Sequence, residues 1–520
     1  MLAKTLLLIF FHVLLFTGQT WAACTSDGQA EANTYYVKTG GNDGADGTTD
    51  ANAWETIAKV TSDAISGDTI CFRSQDTWTG ADPVLNATAG VTYDGATYGT
   101  GTRATLQASS RVNGYGVVQI YVSTVTFKGF LVDSNELSIG GIYIGGTNPT
   151  PAGDISNIIV DNCEVTNGIT TDNPDPAYYY GILIGARGSH TTSSVTVTNN
   201  IVHDVGHEGI PIYPNWGGAG GNRVNTALIS GNTVYNTGQV GGLRGDPIDI
   251  ANDSDNIIIE YNTIYGSSAG NVKVVNYGPG YTGPDEYPNN FIIRYNSING
   301  SGFSTGGYIG FPHFYGDGAF YGNIVINGAL GFGSADYHSV LIKIYNNTFY
   351  RNDDSFYAFF FNIDITNDDG IEVINNIFYT NNFAIVKDND TSCDNSLTHT
   401  NNLYYRDSGS GDTHILCPWD VTFDRAEVTN WEATAQNTDP LFESISNLRL
   451  SSSSPAINTG SNAASIAAQI QFDFDRWPRI SGATVDMGAF EYNTGNQNVD
   501  LTGTALSIDL TGSGVAFVVK

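Results

Sequence analysis

The stretches VTVTNNIV (195–202), ALISGNTV (227–234), IIIEYNTI (257–264) and FIIRYNSI (291–298) repeat one phrase. Alternating apolar residues lead into a bend, an Asn, and a second apolar run. FYGNIV (320–325), IKIYNNTF (342–349), EVINNIF (372–378) and THTNNLY (398–404) continue the pattern. Aligned, they place Asn200, Asn232, Asn262, Asn296, Asn323, Asn347, Asn376 and Asn402 in one column, 24–34 residues apart. Upstream, IIVDNCEV (158–165) puts Cys163 in the same column. Between the bends lie short runs rich in Val, Ile, Tyr and Thr, broken by Gly, Asn and Asp, which read as strands. A period of about 29 residues is too short for a strand–helix–strand unit. The chain must instead coil back on itself, each turn stacking about 4.8 Å above the last. An inward Asn at one bend then bonds the Asn above and below it, which satisfies groups that burial would otherwise leave unpaired.

Eight Asn in register resemble the right-handed parallel β-helix proteins, which include pectate, alginate and chondroitin lyases and several glycosidases. A leucine-rich repeat fails, because no L-x-x-L-x-L phrase recurs. The resemblance implies an all-β solenoid of about ten to eleven coils over residues 24–492. The segment from about 34 to 75 is similar to the opening of such proteins. Within it, Trp54, Ile57, Ala58 and Ile65 are expected to line a short helix over the open end of the coil, where strand edges need cover. Residues from about 438 to 492 resemble the closing segment. Residues 493–520 read as a linker and a short β tail carrying two Leu-Thr-Gly phrases.

Residues 1–23 have an early Lys4, an apolar core and small residues before Cys24, the pattern of a secretory signal peptide. The protein is therefore expected to be secreted or on the cell surface, with Cys24 a candidate lipid-bearing residue. Cys393 and Cys417 could close a late loop, and no Cys/His spacing suits zinc. The 520 residues hold 52 Asp+Glu against 21 Lys+Arg, a formal charge of −31 that repels phosphate backbones. This excludes nucleic acid as a partner, and no nucleotide loop, G-x-S-x-G elbow or Cys nucleophile context is present. An extracellular polysaccharide is the expected partner, and a monomer the expected state.

The strands after each Asn bend read YGILIG, EGIPIY, DPIDIA and NVKVVN. Alternation buries Ile182/Ile184, Ile210/Ile212, Ile248/Ile250 and Val272/Val274 and turns Leu183, Pro211, Asp249 and Lys273 outward in one file. The resemblance makes this face the floor of a substrate groove. It implies Lys273 as the base that removes the proton alpha to a uronate carboxylate, a step that needs nearby positive charge. Glu208, Asp246 and Asp249 supply the oxygen ligands that Ca2+ prefers, with Asp253 and Asp255 following. Arg244 is a candidate clamp for a substrate carboxylate, and His207 a candidate acid or base. His203, four residues earlier, lies in strand-and-turn sequence, so its spacing from His207 does not suggest zinc. Tyr213, Trp216, Tyr277 and Tyr281, with the bend DNPDPAYYYG, offer rings for stacking on sugars.

Arg294 aligns with Glu260 on a different sheet and reads as a salt bridge, not as the acid Arg of alginate-type lyases. Asp43, Asp46 and Asp50 fit either a structural cation or turn chemistry. The leading function is a polysaccharide lyase acting by β-elimination. A glycoside hydrolase using Glu208 with Asp246 or Asp249, and a non-catalytic glycan-binding or adhesion rod, are the alternatives.

Overall fold

A computed structural model describes residues 24–493 apart from a set of bends, together with two short strands near the C-terminus. The bends left out are 111–115, 138–139, 146–152, 169–179, 215–220, 240–244, 252, 268–271, 275–287, 301–307, 312–316, 333–340, 353–357, 362–369, 382–383, 389–396, 408–413 and 418–420. The proposed signal peptide and Cys393 lie outside the described residues.

From Thr69–Phe72 to Ile415–Leu416, strands fall in strict rotation into three sheets. The first runs from Thr34–Val37 to Leu397–Thr400, the second from Thr77–Ala81 to Leu403–Arg406, and the third from Leu85–Asn86 to Thr422–Phe423. Within the stack every coil pairs in parallel with the coils before and after it; the closing strand Thr422–Phe423 alone pairs antiparallel. The chain is a parallel β-helix, and right-handed winding is the sense that strand twist favours for parallel crossovers. Twelve full coils are present among the described residues, slightly more than the ten to eleven expected. The excess comes from the N-terminal coils, which carry no Asn and so escape counting by the column.

The Asn ladder forms throughout. Asn200 Oδ1 accepts the Cys163 N–H at 2.8 Å, and Asn232 Oδ1 accepts the Asn200 N–H and Nδ2 at 2.9 and 3.0 Å. The same pair of bonds recurs to Asn402. Beyond it Glu432 occupies the next position. Its buried carboxylate accepts the Asn402 N–H at 2.8 Å and Nδ2 at 2.9 Å. A carboxylate accepts but cannot donate, so the column stops there, beneath α2 (Val428–Trp431).

The residue before each ladder position has φ between 51° and 68°: Asn162, Asn199, Gly231, Tyr261, Tyr295, Gly322, Asn346, Asn375 and Asn401. Gly and Asn adopt this left-handed bend readily, which explains the recurring Asn-Asn and Gly-Asn pairs. Tyr261 and Tyr295 are the costly exceptions. They stack on each other at 5.1 Å, and both are held by the closing segment.

That segment does not plug the C-terminal end. It runs back along the outside of the corner between the first and second sheets as a strap. Asn401 Nδ2 donates to Thr459 O, Asn375 Nδ2 to Ser461 O, and Tyr295 OH to Phe472 O, while Arg476 lies 4.4 Å over the Tyr261 ring. The helix α3 (Asn462–Ala467) sits along this path.

At the N-terminus, α1 (Ile57–Asp63) is capped by the Thr56 hydroxyl. Val60 is buried, with half-buried Ile57 and the buried C-cap Ala64 beside it, whereas Ala58 and Ile65 are exposed, Ile65 by 66%. The expected face was off by one residue of rotation, because Trp54 belongs to a β-bridge with Val37 and not to the helix. Asp43, Asp46 and Asp50 form no common site. Asp43 accepts from Glu55 and Thr56, Asp46 from Thr48, and Asp50 pairs with Lys38 at 3.0 Å. Cys24 is bonded to Cys71, which leaves no thiol for a lipid. Cys417 is also disulfide-bonded, and buried Cys163 is free.

Candidate functional site

The third sheet carries the candidate site. Pro211 pairs with Asp249, Asp249 with Lys273, and Lys273 with Gly310 on successive coils. Leu183 precedes Ile184, the partner of Ile212, which completes the expected file. The flanking Ile182, Ile184, Ile210, Ile212, Ile248, Ile250 and Val272 all lie in the core.

A second file lies two residues before the first buried Ile of each of these strands. Gly181 N donates to Glu208 O, and Gly209 N to Asp246 O, both at 3.1 Å. Tyr180, Glu208 and Asp246 therefore sit at equivalent positions of consecutive coils. Gly209 is required there: a Cβ would stand 2.5 Å from the Val234 side chain and 2.6 Å from Pro247 O.

The two files meet. Carboxylate oxygens of Glu208, Asp246 and Asp249 all lie within 4.8 Å of one another, and no other such trio occurs among the described residues. All three are fully buried. The expectation of an open groove floor is corrected here, since Leu183, Asp249 and Tyr143 have no exposed surface. Three carboxylates this close in a buried setting favour a neighbouring cation. The donor set, hard oxygens from carboxylates, suits Ca2+.

His207 is buried beside this trio, with Nδ1 3.6 Å from the Glu208 carboxylate. Its ring meets Tyr180 edge-on at 5.5 Å. Tyr180 also stacks 6.4 Å from Tyr213, which closes the strand Ile210–Tyr213 and is half-buried. Burial lifts the Tyr180 hydroxyl well above the usual phenol range, and the charges of Glu208 and Asp249 add to this. The chain thus keeps a protonated phenol next to the carboxylates. Sequence reading named the bend DNPDPAYYYG but not Tyr180, whose signal was its place in the Glu208–Asp246 column.

Lys273 is described by its backbone register only, and Arg244, Trp216, Tyr277 and Tyr281 lie outside the described residues. Asp255 is elsewhere, paired with Arg223 at 3.1 Å. Arg294 forms a bridge to Glu260 at 2.6 Å and donates to the Tyr321 hydroxyl. His203 lies on the second sheet, bonded to Asp204 at 2.6 Å and stacked on Tyr235 at 4.7 Å.

No family model and no curated protein matches the sequence. Solved structures of similar shape include pectate lyase Pel9A, 16% identical, covering 91% of this chain and 100% of that one, with a TM-score of 0.46. An alginate lyase from Paenibacillus sp. str. FPU-7 is 15% identical over 55% of this chain and 93% of its own, TM-score 0.37. The GH136 lacto-N-biosidase from Eubacterium ramulus is 14% identical over 65% and 66%, TM-score 0.42. At these values the likeness adds nothing to the fold that the strand registers already establish: this is a parallel β-helix protein.

Proposed function

We propose that this protein is an exported carbohydrate-active enzyme that cleaves an acidic, uronate-containing polysaccharide by β-elimination. The observation that carries the reading is the convergence of Glu208, Asp246 and Asp249 within 4.8 Å, with Lys273 in register beside Asp249 on the next coil. Glu208, Asp246 and Asp249 would hold Ca2+, which when bound supplies the positive charge that acidifies a proton alpha to a uronate carboxylate. Lys273 removes that proton, and its basicity depends on a lowered pKa, which desolvation and a neighbouring cation both favour. His207 and Arg244 orient the substrate. Tyr213, Trp216, Tyr277 and Tyr281 provide ring surfaces for sugars. The buried Cys24–Cys71 disulfide accords with an oxidising, extracytoplasmic setting.

Hydrolysis by a carboxylate pair fits less well. Such pairs flank a sugar bond at about 5–5.5 Å or more and need room for the ring between them. Here the three carboxylates lie within 4.8 Å of one another, closer than that spacing.

The test is a screen of uronate polymers with wild type and Lys273→Ala, with and without chelator. Ultraviolet-absorbing unsaturated products that require Lys273 and calcium support the reading. Reducing sugars without that absorbance would point to hydrolysis, and glycan binding without turnover to a rod. Thermal midpoints measured in parallel separate a cation needed for turnover from one that only holds the fold.

A further inference from the structure

The strap carries a second buried charge cluster that the proposed reaction does not use. Arg479, Asp473, Asp486 and Glu491 are all at most 7% exposed. Arg479 pairs with Glu491 at 2.5 Å and donates to Asp486 O at 2.9 Å and Ala489 O at 3.2 Å. The carboxylates tie separate passes of the strap together. Asp473 accepts the Trp477 and Glu491 N–H groups, Asp486 those of Asn458 and Tyr492, and Glu491 that of Asp486. The same passes grip the solenoid: Asn346 Nδ2 donates to Asp486 O, Gly488 N to Asn375 O, and Ala489 N to Thr348 Oγ1.

Three carboxylates against one guanidinium leave two excess negative charges in a pocket almost without water. Other charged groups face the cluster from each side. Asp475 and Arg476 lie on the same segment, and Arg449 comes from the strand Asn447–Leu450, paired with Asp475 at 2.6 Å, with Glu443 beside it. From the solenoid the facing group is Tyr295. None of these supplies a second buried cation to the pocket. Burial therefore favours a proton on the cluster.

We infer that the strap is a pH-dependent clamp, fastened to the solenoid while the Arg479 cluster holds a proton and loosened as that proton leaves. Burial raises Glu491 to about 8 and Asp473 to about 6, with Arg479 pulling each back, and burial raises Asp486 as well. Groups whose closed-state pKa is raised stabilise the closed state below their ordinary pKa. That stability is lost as pH climbs through the raised value. Between pH 6 and 8 opening releases the Glu491 proton, so the opening constant grows about tenfold per pH unit.

Hydrogen exchange on the full chain between pH 5 and 9, corrected for intrinsic rates, reads this directly. Protection of the Gly488, Ala489 and Glu491 amides should fall about tenfold per unit from pH 6 to 8, while the Asn232 and Asn262 ladder amides hold theirs. Glu491→Gln keeps an acceptor for Asp486 N–H and Arg479 and should flatten the strap profile. A flat wild-type profile, strap and ladder amides moving together, or an unchanged slope in the variant would each overturn the clamp. If Glu491→Gln fails to fold, infrared spectra of wild type decide: a protonated-carboxyl band present at pH 7 and gone by pH 9 supports it, and no band at pH 7 refutes it.

Discussion

Among the described residues, one group of three buried carboxylates lies on the third sheet and another in the strap, and their geometries differ. In the strap each carboxylate turns to its own backbone donors, and a buried Arg479 sits among them. On the third sheet the oxygens of Glu208, Asp246 and Asp249 turn toward one another. The first arrangement closes on the protein's own groups and fastens chain to chain. The second gathers carboxylate oxygens at one point, the arrangement on which the proposed Ca2+ site rests.

Breaking each cluster should have a different signature. Lys273→Ala should lower the rate of unsaturated product formation by about 10²–10⁴-fold, with an unchanged circular dichroism spectrum and thermal midpoint. Arg479→Met strands three buried carboxylates and should cost about 3–5 kcal/mol of stability in denaturant titration at neutral pH, less in acid, with the intrinsic rate of the remaining folded fraction preserved. Asn262→Ala removes a ladder rung and leaves the Asn232 amide and N–H without their acceptor. A loss of about 3 kcal/mol is expected. Asp249→Asn acts the opposite way to Arg479→Met: in chelator it should raise the thermal midpoint, because a buried like charge is gone. Calcium at about a hundred times its dissociation constant adds about 2.7 kcal/mol to wild type and should add nothing to this variant. The smallest effect concerns long-range charge. With a net charge of −31 facing a polyanion, added sodium chloride at saturating calcium should lower KM severalfold by screening.

The coil was legible because its period repeats. Asn200 through Asn402 recur at one corner, and the Ile248/Ile250 and Val272/Val274 alternation fixed the Asp249–Lys273 register before any coordinates. The end of the ladder is equally readable in spacing, since Glu432 follows Asn402 by 30 residues, but a carboxylate breaks the amide pattern that marks the column. The path of the strap was not legible, since its contacts with Asn346, Asn375 and Tyr295 join residues more than 80 positions apart and follow no period. The burial of Asp249 was missed for a related reason. Strand alternation says which side of a sheet a residue faces, and irregular bends decide whether that side meets water.

Calcium titration by calorimetry into chelator-treated wild type and Asp249→Asn tests the third-sheet site most directly. One saturable site in wild type, absent from the variant while both remain folded, is the predicted result. Equal binding heats in the two proteins, or none in wild type, would contradict it.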